Sequence, residues 1–377
     1  MSVLNKHQKL ALISIIVRKG FAEKVISQVQ AAGGLFGIIV KARGSMRQGK
    51  KGWFKPLSIS PEMESMLILT TKETAENVLQ KSILVTEINK RAIGAVKSIP
   101  LSKAWTTEYL STNHKEFEVV EKSAQVKPQV NLSLITCVCQ RGKADEIAAA
   151  AVREGAAAPI IHFGEGKGVR DRMGLLKIAV NPEKEIIDVV VDEMECDRIF
   201  NVMVEAGRLF APGMGFIYTT KVPTGFINLH TTVSSSHTEA TTEQIVKAID
   251  ELKESKSWRM ADIGLASVRQ FKRKQKSDLI NLKLITRRGL GDEFINTAMH
   301  TGAHGATRVY GNLIGGEKLK SITGRMINDE REVIDFHVTP EVVDDLFMAF
   351  DKILTVHESK NSFVLEIPVP RAVTYFG

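Results

Sequence analysis

Apolar and polar positions along the chain alternate between two periods, which predict strands and helices in a fixed order. Between residues 134 and 222, apolar runs typical of strands alternate with segments whose apolar residues recur every three or four positions. The predicted order is strand, helix, strand, strand, helix, strand. Gly142 follows the first strand, and Gly155 follows the first helix, where a left-handed backbone is needed.

The same order occurs three times along the 377 residues. Gly20, Gly142 and Gly289 each follow a first strand, and another glycine lies 13 residues later in every case. Asp188 and Asp335 each lie 46 residues after the first glycine of their unit, and Met66 has that spacing in the first unit. Since these spacings hold across several predicted elements, we interpret the chain as three copies of one unit.

The second predicted helix of each unit has one apolar face. Equivalent apolar pairs occur at Val78-Leu79, Ile199-Phe200 and Leu346-Phe347. Thr70-x-x-Glu73 and Asp192-x-x-Glu195 have the spacing of a capping box at the start of two of these helices. Two amphipathic helices can cover one face of a four-stranded sheet, so a unit of roughly 90 to 100 residues can bury its own core.

Changes in composition predict the domain boundaries. The predicted domains are 8–104, 129–230 and 277–377, and the predicted linkers are 105–128 and 231–276. We expect an accessory helix in the second linker, over Thr242–Lys253, because apolar residues recur there at helical spacing. Long loops are predicted between the second and third strands of each unit, at 44–62, 164–183 and 311–330.

Composition places the chain among ordinary globular proteins. Hydrophobic residues make up 44% and charged residues 25% of the sequence. No apolar stretch approaches the roughly 20 residues that span a bilayer, and the N-terminus lacks the apolar segment of a signal peptide. Three cysteines cannot build a disulfide framework, which favours a reducing compartment. We therefore expect a cytoplasmic protein without a membrane span.

The net charge of +8 permits a nucleic-acid partner. The densest basic run, Arg269–Lys276, lies in a predicted linker. Phosphate binding needs such charges fixed on one surface, and a linker does not provide that. Solvated surface lysines account for the excess charge as well, so the sequence disfavours nucleic acid as a partner.

Residues that could do chemistry are scattered along the chain. Cys137 and Cys139 alternate on a predicted strand and so share one face, which suits buried side chains better than metal ligands. His300 and His304 are separated by a glycine that interrupts their helix, which disfavours a zinc site. The glycine-rich stretch Gly164–Gly168 is predicted to be a flexible loop, because no helix pattern follows it. The sequence therefore predicts no catalytic residue, no metal site and no enzyme activity.

The order and spacing of the units resemble the P-II nitrogen-regulatory (signal-transduction) protein family, whose subunit has the ferredoxin-like βαββαβ fold. The resemblance implies the α+β class, with three tandem ferredoxin-like domains arranged as an intramolecular pseudo-trimer. Family members are trimers that bind ATP or ADP in the cleft between subunits, and many also bind 2-oxoglutarate through magnesium. Their large loop between the second and third strands contacts target proteins.

Two ligand motifs of this family have partial counterparts in the chain. The base of the large loop often reads Gly-x-Gly-Arg-Gln-Lys-Gly, and the first unit has Gly44-Ser-Met-Arg-Gln-Gly-Lys50. A second motif, commonly Ala-Ala-Arg-Thr-Gly-Lys-Ile-Gly-Asp-Gly-Lys, resembles Ala206-Gly-Arg-Leu-Phe-Ala-Pro-Gly-Met-Gly-Phe216, where Met214 and Phe216 replace the aspartate and the last lysine. Arginine can neutralise a phosphate, and glycine lets backbone amides approach one. The alternative interpretations are an exposed basic loop and a structural turn.

Together, the two motifs imply a ligand site in a cleft between the first and second units. The candidate ligand-binding residues are Gly44, Arg47, Gln48, Lys50, Arg208, Gly213 and Gly215. The candidate ligands are a small anionic metabolite or an adenine nucleotide (ATP, ADP or AMP). The implied function is a non-catalytic regulator of a transporter or enzyme, whose long loop is ordered by ligand contacts. A ligand-free scaffold that docks other subunits and a nucleic-acid-binding protein are the alternatives.

Overall fold

Fifteen strands and six α-helices make up the described part of the protein. The computed structural model describes residues 3–7, 9–44, 62–88, 93–107, 117–157, 159–168, 182–229, 277–314 and 329–374. The strands are β1 (Asn5–His7), β2 (Leu10–Arg18), β3 (Gly34–Gly44), β4 (Glu62–Thr71), β5 (Ile93–Ile99), β6 (Lys103–Thr106), β7 (Gln129–Gln140), β8 (Ile160–Gly168), β9 (Glu183–Asp192), β10 (Gly215–Leu229), β11 (Leu279–Arg287), β12 (Gly305–Ile314), β13 (Asp329–Val338), β14 (Phe363–Val369) and β15 (Arg371–Thr374). The helices are α1 (Ala22–Ala31), α2 (Ala75–Thr86), α3 (Ala144–Arg153), α4 (Cys196–Gly207), α5 (Gly291–His300) and α6 (Val343–Val356).

These strands form one continuous sheet. Their order is β1-β6-β14-β11-β13-β12-β3-β4-β2-β5-β10-β7-β9-β8, and β15 pairs with β10. Strand β8 also pairs with β12 and with β3. As a result, the nine strands from β12 through β3 to β8 close into a barrel, in which each member has a neighbour on both sides.

The predicted element order is present in three segments of the chain, residues 9–107, 129–229 and 277–374. In each segment the first strand pairs with both the third and the fourth strand. The second strand pairs with the third. The protein is therefore rich in β-sheet, with two described helices between the strands of each segment.

The last strand of each segment crosses to another segment. Strand β6 of the first segment pairs with β14 of the third, and β15 of the third pairs with β10 of the second. The end of β10, in the second segment, pairs with β5 of the first. Trp105, Val373 and Phe226 thereby pack in or against the helix-facing cores of the third, second and first segments, respectively. Each of these cores is completed by another segment.

Helices cover one face of the sheet, and the other face surrounds the interior of the molecule. On β2, Ile13 and Ile15 pack against the helices, whereas Leu12 and Ser14 face the interior. Because both faces are covered, this strand is buried from Leu10 to Val17. The longest described helix, α6, has 14 residues, and none of the described helices is long and apolar enough to cross a membrane.

Glycines occupy the left-handed positions that the sequence predicted. Gly20, Gly142 and Gly289 have φ values of 90°, 84° and 96° at the turn before the first helix of each segment. The glycines after these helices, Gly33, Gly155 and Gly302, have φ values of 113°, 94° and 117°. Both sets of turns are confirmed, because this backbone conformation strains residues that carry a Cβ.

A glutamate on the third strand of each segment accepts hydrogen bonds from backbone amides at the turn into the first helix. The carboxylates accept backbone N–H bonds as follows: Glu64 from Gly20 and Ala22 (3.0 and 3.1 Å), Glu185 from Gly142 and Ala144 (2.8 and 3.0 Å), and Glu332 from Gly289 (3.3 Å). Amides at a helix start lack partners within the helix, and a negative charge is favourable there. These glutamates are the second residues of a Glu-x-Glu pattern that occurs in all three segments.

The predicted capping boxes are wrong. Helix α2 begins at Ala75 and α4 at Cys196, and neither has a side-chain N-cap bond. The hydroxyl of Thr71 instead accepts a bond from the amide of Thr74 (3.2 Å), and Asp192 accepts one from the amide of Met194 (3.1 Å). Both side chains therefore close the turn between strand and helix, so the helices begin later than the pattern suggested.

The prediction of a flexible loop at Gly164–Gly168 is also wrong. These residues are the end of β8 and pair with β9 and with β12. A Cβ on Gly164 would lie 2.5 Å from the carbonyl oxygen of Arg308 on β12. Glycine is needed at this position because another backbone approaches so closely. The loop predicted at 311–330 likewise starts later, since β12 continues to Ile314.

A comparison of Glu185 with Glu64 separates the effect of the backbone hydrogen bonds on stability from the effect of the ion pair with Arg43. Glu185 also accepts a bond from Arg43 (3.1 Å) and is buried, whereas Glu64 is only half-buried. We expect Glu185→Ala to lower the free energy of unfolding by about 3 kcal/mol, because it also removes a buried partner of Arg43. Glu64→Ala should lower it by about 1 kcal/mol, the usual cost of a lost cap. Urea denaturation measures both, with the exposed Glu62→Ala as control; equal losses at Glu185 and Glu64 would contradict this account.

Candidate functional site

The base of the first long loop lies on β8. Gly44, the last residue of β3, pairs with Ile160. The next described residue is Glu62, the first of β4, so the predicted loop between Gly44 and Glu62 lies outside the described residues. The candidate residues Arg47, Gln48 and Lys50 lie outside the described residues.

The other candidate residues lie in the turn between α4 and β10. Arg208 has an exposed side chain and a left-handed backbone, with a φ of 49°. The carbonyl oxygen of Gly213 accepts a bond from Gln140 (3.1 Å). Gly215 pairs with Cys139 on β7. Strands β7 and β9 lie between β10, which begins at Gly215, and β8, with which Gly44 pairs.

Arginine ion pairs join the first segment to the second. Arg43 donates two hydrogen bonds to Asp145 (2.8 and 3.1 Å) and one to Glu185 (3.1 Å). Burial opposes the charge, but the hydrogen bonds and charges of both carboxylates raise the pKa of Arg43. This cluster directly precedes Gly44, so it fixes the base of the loop.

Two seams between segments contain an arginine with carboxylates, and the third contains paired strands with buried apolar side chains. Between the second and third segments, Arg308 contacts Glu165, and within its own segment it contacts Asp292 (3.1 Å) and Glu332 (3.6 Å). Between the third and first segments, residues 311–314 of β12 pair with 37–40 of β3, and the side chains of Leu313 and Ile314 are buried there. The described parts of the three seams are therefore not equivalent.

All three segments line a cavity of about 100 Å³ in the interior. Its apolar lining consists of Val40, Leu67, Ile99, Leu134, Val138, Ile186, Val309, Val333 and Ile367. Its polar lining consists of Ser14, Ser65, Lys97, Thr136, His162, Asp188, Tyr218, Thr220, Asn281, Lys283, Thr307, Asp335 and His337. Alternate residues of the same strands, such as Cys137 and Cys139 on β7, face the helices instead and are buried as predicted.

Equivalent positions around the cavity carry different residues. On the first and third strands, the paired residues are Ser14 with Leu67, Thr136 with Asp188, and Lys283 with Asp335. The equivalence of the two aspartates, inferred from spacing, is thus confirmed by strand register. Met66, which has the same spacing in the first segment, lies one residue before Leu67 and packs in the helix-facing core.

Asp188 is the centre of one polar cluster. The hydroxyl of Thr136 donates to one carboxylate oxygen (2.7 Å), and Nε2 of His162 lies 3.4 Å from the other. Burial opposes ionisation of this carboxylate. The hydrogen bond and charge of His162, the charge of Lys97 and the bond from Thr136 nevertheless hold the pKa of Asp188 below its usual value.

Asp335 is the centre of a second cluster. The ammonium of Lys283 lies 2.6 and 2.8 Å from its two oxygens, and the amide of Asn281 donates a further bond (2.7 Å). His337 lies beside this cluster, with its ring 4.6 Å from that of Phe216 and 4.2 Å from that of Tyr218. Lys283 and Asp335 therefore form a compact ion pair within the protein.

Lys97 differs from the other charged residues of the cavity. It lies on β5 between Ser14 and Gly225, and it is only 1% exposed. None of the described residues accepts a hydrogen bond from its ammonium. Burial lowers the pKa of Lys97, and the charge of Asp188 opposes this only in part. Burying a cation without a hydrogen-bond partner raises the free energy of the folded protein, which sets Lys97 apart from ordinary buried residues.

Three more buried polar atoms of the cavity lining lack a hydrogen bond. They are Nδ1 of His162, Oδ1 of Asn281 and Nε2 of His337. Sequence reasoning selected none of the residues around the cavity as a site. A sequence signal did exist for Lys97, because a lysine within the apolar run 93–99 is unusual for a strand that other strands cover.

The interior cavity is suited to a small molecule. A cavity of about 100 Å³ is well below the roughly 300 Å³ at which pockets for drug-sized ligands begin, so it excludes an adenine nucleotide. In the described part of the chain, no group of three His, Cys, Asp or Glu side chains could hold a metal ion.

His300 is a surface residue at the end of α5, where its Nδ1 lies 2.7 Å from the carbonyl oxygen of Asn296.

The buried ring of His337 makes stability depend on pH. Burial lowers its pKa from 6.5 to about 4, although Asp335 opposes the shift. Below pH 6.5 this histidine binds a proton in the unfolded chain but stays neutral in the folded protein. Its contribution to the free energy of unfolding is therefore complete above pH 6.5 and is lost as the pH falls toward 4. Phenylalanine cannot bind a proton, so in His337→Phe the free energy of unfolding should fall by about 3 kcal/mol less over this pH range than in the wild type. Urea denaturation between pH 7 and 4 measures it, and parallel curves for both proteins would refute the assignment.

Comparisons with known proteins leave the family open. No protein-family model and no curated protein sequence matches the chain. Two solved structures are weak structural neighbours. Aspartate kinase from Synechocystis has 9% identity and a TM-score of 0.21, over 97% of this chain and 45% of that one. The ligand-free regulatory subunit of aspartate kinase from Thermus thermophilus has 14% identity and a TM-score of 0.15, over 54% of this chain and 95% of that one. The chain thus spans less than half of the kinase, and TM-scores this low carry no argument about function.

Proposed function

We propose that this protein is a non-catalytic regulatory binding protein, built of three P-II-like ferredoxin-like domains that form a pseudo-trimer within one chain. The observation that supports this most strongly is the cyclic pairing of the terminal strands β6, β10 and β15. Each segment gives a strand to one neighbour and receives a strand from the other. That pattern fits three subunits of a trimer that have been fused in tandem.

The ligand of the proposed regulator is a small anionic metabolite or an adenine nucleotide in the cleft between the first and second domains. Arg43 anchors the base of the loop at residues 44–62 to the second domain. A ligand that contacts this loop would therefore act on two domains at once. Such a ligand shifts the loop between states only as far as it binds one state better than the other.

The partner of the proposed regulator is a transporter or an enzyme, engaged by the long loops. The resemblance to the P-II family supports this role and a place in nitrogen regulation. The non-catalytic assignment rests on the described polar clusters, in which Asp188 and Asp335 are held by neighbouring side chains inside the protein. Carboxylates that are engaged in this way are less available for acid–base or nucleophilic work on a substrate.

A ligand-free scaffold is the second candidate, and the glycine turn favours it. A Cβ on Gly215 would lie 2.2 Å from the carbonyl oxygen of Val138, so this glycine is required by the packing of β10 on β7. Gly213, with a φ of 74°, is required by its left-handed backbone. Both glycines thus have a structural role that needs no phosphate.

Calorimetry with ATP, ADP, AMP and 2-oxoglutarate tests the proposed function. We expect at least one of them to bind and Arg208→Ala to weaken that binding by about tenfold or more, the loss of one charge-assisted hydrogen bond. Arg208 is exposed, so its removal should leave the fold intact. The matched control is Arg153→Ala, which removes an exposed arginine from α3 of the same segment. If none of these ligands binds and another protein copurifies at fixed stoichiometry, the scaffold is the better assignment.

A further inference from the structure

We propose that the central cavity is a binding site for a compact monocarboxylate, with the carboxylate on Lys97 and a short aliphatic tail against the apolar lining. This site goes beyond the proposed function, whose ligand lies in the cleft between the first and second domains. Three observations about the cavity carry the inference: the state of Lys97, the charge balance of the lining, and the volume.

Lys97 provides the binding group. Its ammonium faces the cavity at 1% exposure, and none of the described residues accepts a hydrogen bond from it. Buried lysines are normally paired, because the charge loses its hydration. An oxyanion in the cavity would supply the missing acceptor for this ammonium.

The remaining charges limit that oxyanion to a single negative charge. Lys283 is held by Asp335, and Asp188 accepts a bond from Thr136 and lies beside His162. Lys97 is therefore the one described lysine of the lining whose ammonium still needs an acceptor. A dianion such as phosphate would place a second charge near two carboxylates, where like charges repel.

Volume and apolar surface define the rest of the ligand. A cavity of about 100 Å³ has room for several water molecules, since one water needs about 10–15 Å³ of such space. Acetate, propionate and butyrate are of this size, whereas longer fatty acids and nucleotides are not. Residues from all three segments, including Val40, Leu134 and Val309, provide apolar surface for the tail.

The experiment compares small carboxylates with an uncharged analogue. Calorimetry and thermal denaturation of the full chain use sodium propionate, with propionamide and sodium chloride at the same concentration and ionic strength. We expect propionate alone to bind and to raise the unfolding temperature. Lys97→Met should weaken propionate binding by about tenfold or more. The matched control, Lys221→Met, removes an exposed lysine next to the cavity residue Thr220 and should bind as the wild type does.

A size series provides a test that needs no variant. In the wild-type protein, acetate, propionate and butyrate should bind and octanoate should not, because the tail would exceed the cavity. Equal propionate binding by wild type and Lys97→Met, binding of octanoate as tight as that of butyrate, or no binding of any short carboxylate would each overturn the proposal. Arg208→Ala should bind propionate normally, so failure of the nucleotide site and failure of this site give different results.

Discussion

The exchange of terminal strands is the constraint on which the rest of the structure depends. Trp105 and Val373 are buried in the helix-facing cores of segments other than their own. Removing one segment would expose apolar surface in the next, at a cost of about 25 cal/mol for each Å². The segments are therefore bound to fold as one cooperative body, and the inward faces of their strands are held close enough to enclose a common cavity.

A single chain can place different residues at equivalent positions around that cavity, which a homotrimer cannot do. In a homotrimer, a residue with the position of Lys97 would occur three times, and three ammonium groups in a cavity of about 100 Å³ would repel one another. Here the first segment contributes Lys97, while the second and third contribute the aspartates. Fusion in tandem thus permits one lysine to which the described residues offer no hydrogen-bond acceptor, beside the ion pair of Lys283 and Asp335.

The sequence predicts features that depend on neighbouring residues, and it misses features that depend on contacts with another segment. The glycine turns were predicted because a left-handed φ is a property of one residue, as at Gly142. Gly164 was assigned to a loop because its role depends on the backbone of β12, far away in the chain. Lys97 lies in an apolar run and has no motif, so its isolation appears only when strands of three segments surround it. The Glu-x-Glu pattern repeats in the sequence, but the pattern alone does not show that its second carboxylate reaches the amides of a turn more than 40 residues earlier.

The central cavity and the seam between the first two segments share structural elements. His162 pairs with Ala42, the neighbour of Arg43, and Asp188 lies three residues after Glu185 on β9, about 10 Å along the strand. The polar groups around the cavity and the arginine cluster at the base of the loop are therefore carried by the same strands. His162 and Asp188 face the cavity, whereas Arg43 and its carboxylates lie at the seam, so the two clusters share the backbone pairing of β8 and β9. Arg43 therefore ties the end of β3 at Gly44 to the second segment, beside the strands that carry His162 and Asp188.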